Sequence, residues 1–400
     1  MSLREPALLG RLKAQIAQDG PISVPEYFTR CLHDPRDGYY ANRPALGGMT
    51  GGSEGDFVTA PGVSQMFGEL VGLWLMETWD RLGRPAPFRL VEMGPGDGTL
   101  MSDILRAGRL LPAFLEAADL WLVEVSPVLR AAQERTLAGA SAQWAGRLEE
   151  VPAGAPLLLV ANELLDCLPA RQFVKTQDGW AERVVGLGEN GELAFGLRNL
   201  GPPPLGEGAR RAGGGAFSAA AASDVLRSLP PPSASPTPPP QGEDPPVGAI
   251  LESSPAQAAL GSELGHRLAR DGGAALLIDY GRAASEPGDT LQAIRAHRKE
   301  GPLDNPGQAD LTVWADFPSV LEAARQAGAQ APPVVTQGDF LRALGIEARA
   351  QALAAARPDR AEVVARQLDR LTGAAQMGDL FKVACLSAPG LNPPLFEDEA

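Results

Sequence analysis

The chain has 400 residues, a hydrophobic fraction of 44% and a formal net charge of -14, from 49 acidic and 35 basic residues. That length supports one large core with a smaller lobe, or two domains. The acidic surface repels phosphate backbones, so no nucleic-acid partner is expected, and no apolar run reaches the roughly 18–20 residues of a membrane span.

The negative balance serves solubility, and it also suits a basic target such as an arginine- or lysine-bearing protein segment. Cys31, Cys167 and Cys385 lie far apart, with no CxxC or Cys/His ligand spacing. Neither a disulfide framework nor a metal site is expected. The first twenty residues lack a secretory or transit pattern, and with so few cysteines a cytoplasmic location is expected.

In chain order, Ser23 is placed to cap a helix from about Pro25. The stretch from Asp34 to Ser64 is too rich in Gly and Pro for regular structure. A periodic helix follows in "SQMFGELVGLWLMETWDRLG", with Met66, Leu70, Leu73, Trp74 and Glu77 at helical spacing and Gly83 as its C-terminal stop.

Then the pattern changes. "RLVEMG", "LWLVEVS", "PLLLVANEL" and "AALLIDYG" read as short buried strands. Helices at "TLMSDILRAGRLL", "PVLRAAQERTLA" and "SSPAQAALGSELGHRLARDG" separate them, which predicts an α/β fold with a parallel sheet wound on both faces. "RVVGLGENGELAFGL" predicts a β-hairpin turning at Glu189-Asn190-Gly191. "PPPSASPTPPPQGEDPP" carries nine prolines in seventeen positions and predicts an extended excursion. Helices run to about residue 370, and "QMGDLFKVACLS" reads as a closing strand.

The segment with the most specific chemistry is "FRLVEMGPGDGTL", with Gly94, Gly96 and Gly98 just past a strand. A dinucleotide fingerprint, G-x-G-x-x-G, is one residue longer. Asp97 inside the loop would also repel a pyrophosphate. S-adenosylmethionine has no phosphate and carries a sulfonium and an ammonium, and it fits better. Glycines let the backbone approach such a ligand closely. Glu92 is placed for the methionyl ammonium, and Glu124, ending the next strand, for the two ribose hydroxyls. The alternatives are a tight turn without a ligand and a hydride-transferring dehydrogenase. Trp144 reads as a core tryptophan or as an adenine stack.

The segments "GPISVPEYFTRCLHDPRDGYY", "GDFVTAPGVSQMFGELVGLWL", "LVEMGPGDGTLMSDIL", "LVEVSPVLRAAQ", "ANELLDCLPARQF" and "GDTLQAIRAHR…DLTVWADF" occur in this order. Together they resemble the MidA-like class I methyltransferases, over most of residues 15–385. That family includes the mitochondrial complex I assembly factor that methylates an arginine of a core subunit. The resemblance implies a Rossmann-like class I methyltransferase fold with a mostly parallel seven-stranded sheet, plus an N-terminal helical segment and a C-terminal helical insertion. It implies S-adenosyl-L-methionine as cofactor and a protein substrate such as a respiratory complex I subunit, and it allows a homodimer. One departure stands out: Gly62 occupies a position where the family carries an acid.

The domain boundaries expected on this basis are 1–85 for an N-terminal helical lid or substrate segment and 86–200 for the cofactor-binding half. A proline-rich excursion follows at 201–248, a continuation of the sheet at 249–290, a helical substrate-side insertion at 291–372 and a closing strand at 373–390.

Methyl transfer to arginine requires a nucleophile whose lone pair is delocalised over a charged guanidinium. Carboxylates that grip the guanidinium can localise its charge, aim one nitrogen and take the released proton. Glu163 is the leading candidate, with Asp166, Asp279 and Glu69 as further catalytic acids. Asn162 and Asp56 join Glu92, Gly94, Gly96, Gly98 and Glu124 as cofactor-binding residues. Glu163 and Asp166 also read as acids at a helix N-terminus. Asp279 reads as part of a strand-end turn, Asp56 as a loop cap and Glu69 as part of a solvated helix face. A small-molecule methyltransferase and a non-catalytic assembly factor remain as alternative functions.

Overall fold

The computed structural model describes residues 7–42, 59–199 and 245–396. In chain order its strands are β1 (Ile22–Ser23), β2 (Phe88–Met93), β3 (Ala118–Val123), β4 (Gln143–Ala145), β5 (Leu157–Asn162), β6 (Arg171–Thr176), β7 (Gly179–Leu187), β8 (Leu193–Asn199) and β9 (Ile250–Ser253). There follow β10 (Gly273–Arg282), β11 (Gln292–Arg295), β12 (Arg298–Glu300), β13 (Asp310–Thr312), β14 (Ala315–Asp316), β15 (Val335–Thr336) and β16 (Phe381–Ser387).

The main sheet runs β15-β16-β10-β5-β2-β3-β4, with β14 added beside β10. From β10 to β4 every pairing is parallel, and β16 alone runs against the rest, pairing antiparallel with both β10 and β15. The apolar runs that predict buried strands explain this position, because helices cover both faces. Leu90, Leu158, Val160, Leu276 and Ile278 face one core with the helices Gln65–Arg81 and Thr99–Gly108. Val91, Leu157, Leu159, Ala275 and Leu277 face the other, with the helices Pro255–Asp271 and Phe317–Gln326. In this way the period-2 alternation of each strand serves two cores.

The helix Gln65–Arg81 differs in detail from its predicted stripe. Met66, Phe67, Leu70, Val71, Trp74, Leu75 and Thr78 are buried, whereas Leu73 is 39% exposed. The burial is broad because this helix lies between the sheet-side helix and the C-terminal helices rather than on an open surface.

A second lobe was only half legible. The predicted hairpin is present as β7 and β8, turning at residues 188–192. It belongs to a five-stranded antiparallel sheet with β1, β6 and β9. Residues 171–199 and 250–253 therefore leave the main sheet. The helices Ala7–Asp19 and Val24–His33 pack on this lobe through Leu8, Leu12, Tyr27, Phe28 and Val185. The helix Gln65–Arg81 packs on the main core, so the expected segment 1–85 divides between two bodies. The expected helical insertion 291–372 opens instead with a three-stranded sheet, β12-β11-β13. Most of the proline-rich excursion lies outside the described residues.

Candidate cofactor and active site

The carboxyl ends of β2, β3, β5 and β10 bring the chemistry together. Gly94, Gly96 and Gly98 all take positive φ, at 67°, 54° and 85°. Any other residue would be strained at three nearby positions, which is why this turn is written in glycine. Gly98 opens the helix Thr99–Gly108, and Asp97 Oδ1 accepts the Thr99 amide at 3.0 Å. Asp97 thus caps the helix that the loop feeds.

Glu92, next to last in β2, is 2% exposed, and its Oε2 has no hydrogen-bond partner. Burial foremost, then the nearby Asp97 charge, pushes its carboxyl up to about 8. Glu124 follows β3. Its Oε1 accepts the Ser126 amide at 2.8 Å and its Oε2 the Gln133 side-chain amide at 3.1 Å. Burial raises its pKa, against those two hydrogen bonds.

At the end of β5, Glu163 adopts φ 54°, a left-handed backbone that a non-glycine residue rarely takes. Such strain clusters at functional turns. Glu163 Oε1 accepts the Asn162 side-chain amide at 2.9 Å and the Ala60 backbone amide at 3.2 Å. The second bond ties it to the N-terminal segment. Burial, then the Asp166 charge, pushes Glu163 up to about 7. Asp166 is buried. Its Oδ2 accepts the Tyr280 hydroxyl at 2.6 Å, and its Oδ1 has no partner.

Two expected catalytic acids are engaged by partners within the protein. Asp279 is fully buried. Its Oδ2 accepts the amides of Leu165 and Asp166 at 2.8 and 3.1 Å, and its Oδ1 that of Tyr280 at 2.8 Å. It holds the loop that carries Glu163 and Asp166. Glu69 receives Arg349 on both oxygens, at 2.8 and 3.1 Å, and Arg106 at 3.1 Å. It joins three helices and is not a free acid. Asp56 lies outside the described residues. Gly62 sits in a short helix at residues 60–63, where an added Cβ would meet only Thr59 Oγ1 at 3.4 Å.

Two residues escaped the sequence reading. Gln133 is completely buried and contacts the glycine loop, Glu124 and Trp144. Its signal is a polar residue at the apolar spacing of Leu129 and Leu137. Tyr40 accepts the Ser126 hydroxyl on its backbone oxygen at 3.0 Å and donates its own hydroxyl to Asp310 at 3.0 Å. It lies in a Gly/Pro-rich stretch that offered no periodicity to mark it.

The unpaired buried atoms test the cofactor. At the strand ends they are Glu92 Oε2, Asn162 Oδ1 and Asp166 Oδ1, all of them acceptors. A ligand rich in N–H and O–H donors fits them, and the ammonium and ribose diol of S-adenosylmethionine supply such donors. Among the described residues no group of three or more His, Cys, Asp and Glu could hold a metal ion. No helix there is long and apolar enough to cross a membrane.

A Rossmann-like sheet with a glycine turn and acids at successive strand ends defines a nucleoside-cofactor-binding fold. Residues 70–335 match the family described as "Putative S-adenosyl-L-methionine-dependent methyltransferase", and the chain belongs to it. The chain is 36% identical to the Drosophila melanogaster mitochondrial "Protein arginine methyltransferase NDUFAF7 homolog", covering 94% of this chain and 84% of that one. It is 32% identical to the Homo sapiens protein arginine methyltransferase NDUFAF7, covering 95% and 83%. A Burkholderia thailandensis protein crystallised with S-adenosyl-homocysteine superposes with a TM-score of 0.74, at 28% identity, over 95% of this chain and 92% of that one. The protein is an S-adenosylmethionine-dependent methyltransferase of the class I fold. The Drosophila and human relatives are named as mitochondrial proteins, which overturns the expectation of a cytoplasmic location.

Proposed function

We propose that the protein methylates an arginine side chain of a protein. The observation that carries this reading is the pair of acids after β5, Asp166 buried and Glu163 half-buried. Glu163 is held from the N-terminal segment, and Asp166 Oδ1 is left without a partner. Together they offer acceptors to a planar, charged guanidinium. The cofactor supplies the methyl group on its sulfonium. Glu92 and Asn162 are assigned to its methionyl end, Glu124 to its ribose, and the glycine loop to close backbone contact. Glu163 orients the guanidinium, and with its pKa near 7 it can accept the proton lost on transfer.

The substrate class matches the printed names of the relatives. A respiratory complex I subunit and a homodimeric assembly are the finer reading drawn from the family resemblance. The test is incubation with methyl-labelled S-adenosylmethionine and protein extract, followed by peptide mass mapping. Label on an arginine side chain is the expected result. Label confined to small molecules would favour the small-molecule alternative, and label on another side chain would overturn the substrate assignment.

A further inference from the structure

We infer that Gln133 is a positioning residue that sets the enzyme's selectivity for the ribose diol of its cofactor. The inference rests on the cofactor reading above, in which Glu124 meets the ribose. Gln133 lies on the helix Pro127–Thr136 with no solvent exposure. Its Nε2 donates to the Gly96 carbonyl at 2.8 Å and to Glu124 Oε2 at 3.1 Å. Its Oε1 accepts the Trp144 indole N–H at 2.9 Å. An indole can only donate, so Trp144 dictates which end of the amide is oxygen. The nitrogen must then face Gly96 and Glu124, and the amide cannot turn over without losing all three bonds.

One side chain therefore links the glycine loop to the acid on the neighbouring strand. Close packing makes the reach possible. A Cβ at Gly98 would meet the Gln133 Cα at 3.4 Å and the Thr136 Cβ at 3.5 Å. The loop and the helix touch at backbone distance, and that brings the amide to Gly96.

The consequence falls on Glu124. The Ser126 amide holds Oε1 at 2.8 Å and the Gln133 amide holds Oε2. Each oxygen keeps a further lone pair for a ligand hydroxyl. Fixed at both oxygens, the carboxylate offers two aligned acceptors to adjacent hydroxyls. The Arg130 side chain is occupied by the Glu124 backbone carbonyl, with its Nε at 2.8 Å. Without Gln133, Oε2 loses the side-chain amide that donates to it. Burial then acts on the carboxyl with one restraint fewer.

Calorimetric titration separates this role from simple packing. Wild type and Gln133→Leu are each titrated with S-adenosyl-homocysteine and with its 2′,3′-dideoxyribose analogue. The variant is expected to lose about 10–100-fold in affinity for S-adenosyl-homocysteine, as for one charge-assisted hydrogen bond. Its affinity for the dideoxy analogue should change by less than about threefold, since the analogue never used the diol contact. Equal losses for the two ligands, or a preference kept intact, would overturn the inference. Trp144→Phe, which frees the amide to turn over, should reduce the same preference and serves if Gln133→Leu does not fold; an unchanged preference there counts against the inference. A wild type that does not distinguish the two ligands would overturn the Glu124 assignment, and the inference with it.

Discussion

Asp279 Oδ2 accepts the backbone amide of Asp166 at 3.1 Å, across 113 residues of sequence. The same oxygen takes the amide of Leu165, and Oδ1 takes that of Tyr280. A carboxylate buried on β10 thus shapes the turn after β5. Burial, then the Asp166 charge, drives the Asp279 pKa upward. Asp279→Ala leaves three buried amides without an acceptor. It is expected to cost about 3 kcal/mol or more in urea unfolding. An unchanged unfolding midpoint with lost methyl transfer would return Asp279 to the substrate.

Glu69 has the opposite standing. Arg106 and Arg349 gather on it from two other helices, and both arginines are more than a third exposed. Glu69→Ala should therefore cost only about 1 kcal/mol of stability, since solvent screens such pairs. Methyl transfer under saturating cofactor should stay within about twofold of wild type, because no reacting group is removed. A loss of a hundredfold or more in turnover by a folded variant would place Glu69 in the chemistry.

Glu92 links stability to pH. Its carboxyl stands near 8 in the fold against an ordinary 4.5. The unfolded chain gives up this proton above about pH 4.5, while the folded chain keeps it to about 8. The stabilisation from the bound proton is full below 4.5 and is lost as pH rises to 8. Glu92→Gln removes this loss. Without ligand, its melting temperature should exceed wild type at pH 8 by several degrees and show no gain at pH 4, while binding of S-adenosyl-homocysteine weakens. Equal shifts at both pH values in thermal scans would contradict the titration.

Glu163 predicts a pH profile. With its carboxyl at about 7, it is protonated below that value and cannot grip a guanidinium. Methyl transfer should rise as pH passes through about 7 and level above it. The same limb should vanish in Glu163→Gln. Rates measured between pH 5.5 and 9 with a labelled donor test this, and a limb retained in the variant would assign it to another group.

What the sequence revealed follows from where it changes character. Glu92, Glu124 and Glu163 each end an apolar run, so their place at the sheet's edge was legible without coordinates. Glycines at alternating positions announced the turn for the same reason. Glu69 misled because its partner Arg349 lies 280 residues away, and no local pattern reports such a pair. The second sheet was hidden because β1 has two residues and β9 four, too short for a periodic signal. Gln133 was passed over because it is one polar residue among several on its helix.

The division of labour between acids is the central claim, and one paired measurement addresses it: cofactor affinity and methyl-transfer rate in Glu163→Gln and Glu124→Ala. Glu163→Gln should bind S-adenosyl-homocysteine like wild type, while transfer to an arginine-bearing protein falls by about two to three orders of magnitude, or roughly 3–4 kcal/mol of transition-state stabilisation. Glu124→Ala should weaken cofactor binding first, by about 1.5–3 kcal/mol. Undiminished transfer in Glu163→Gln at saturating cofactor would contradict the account.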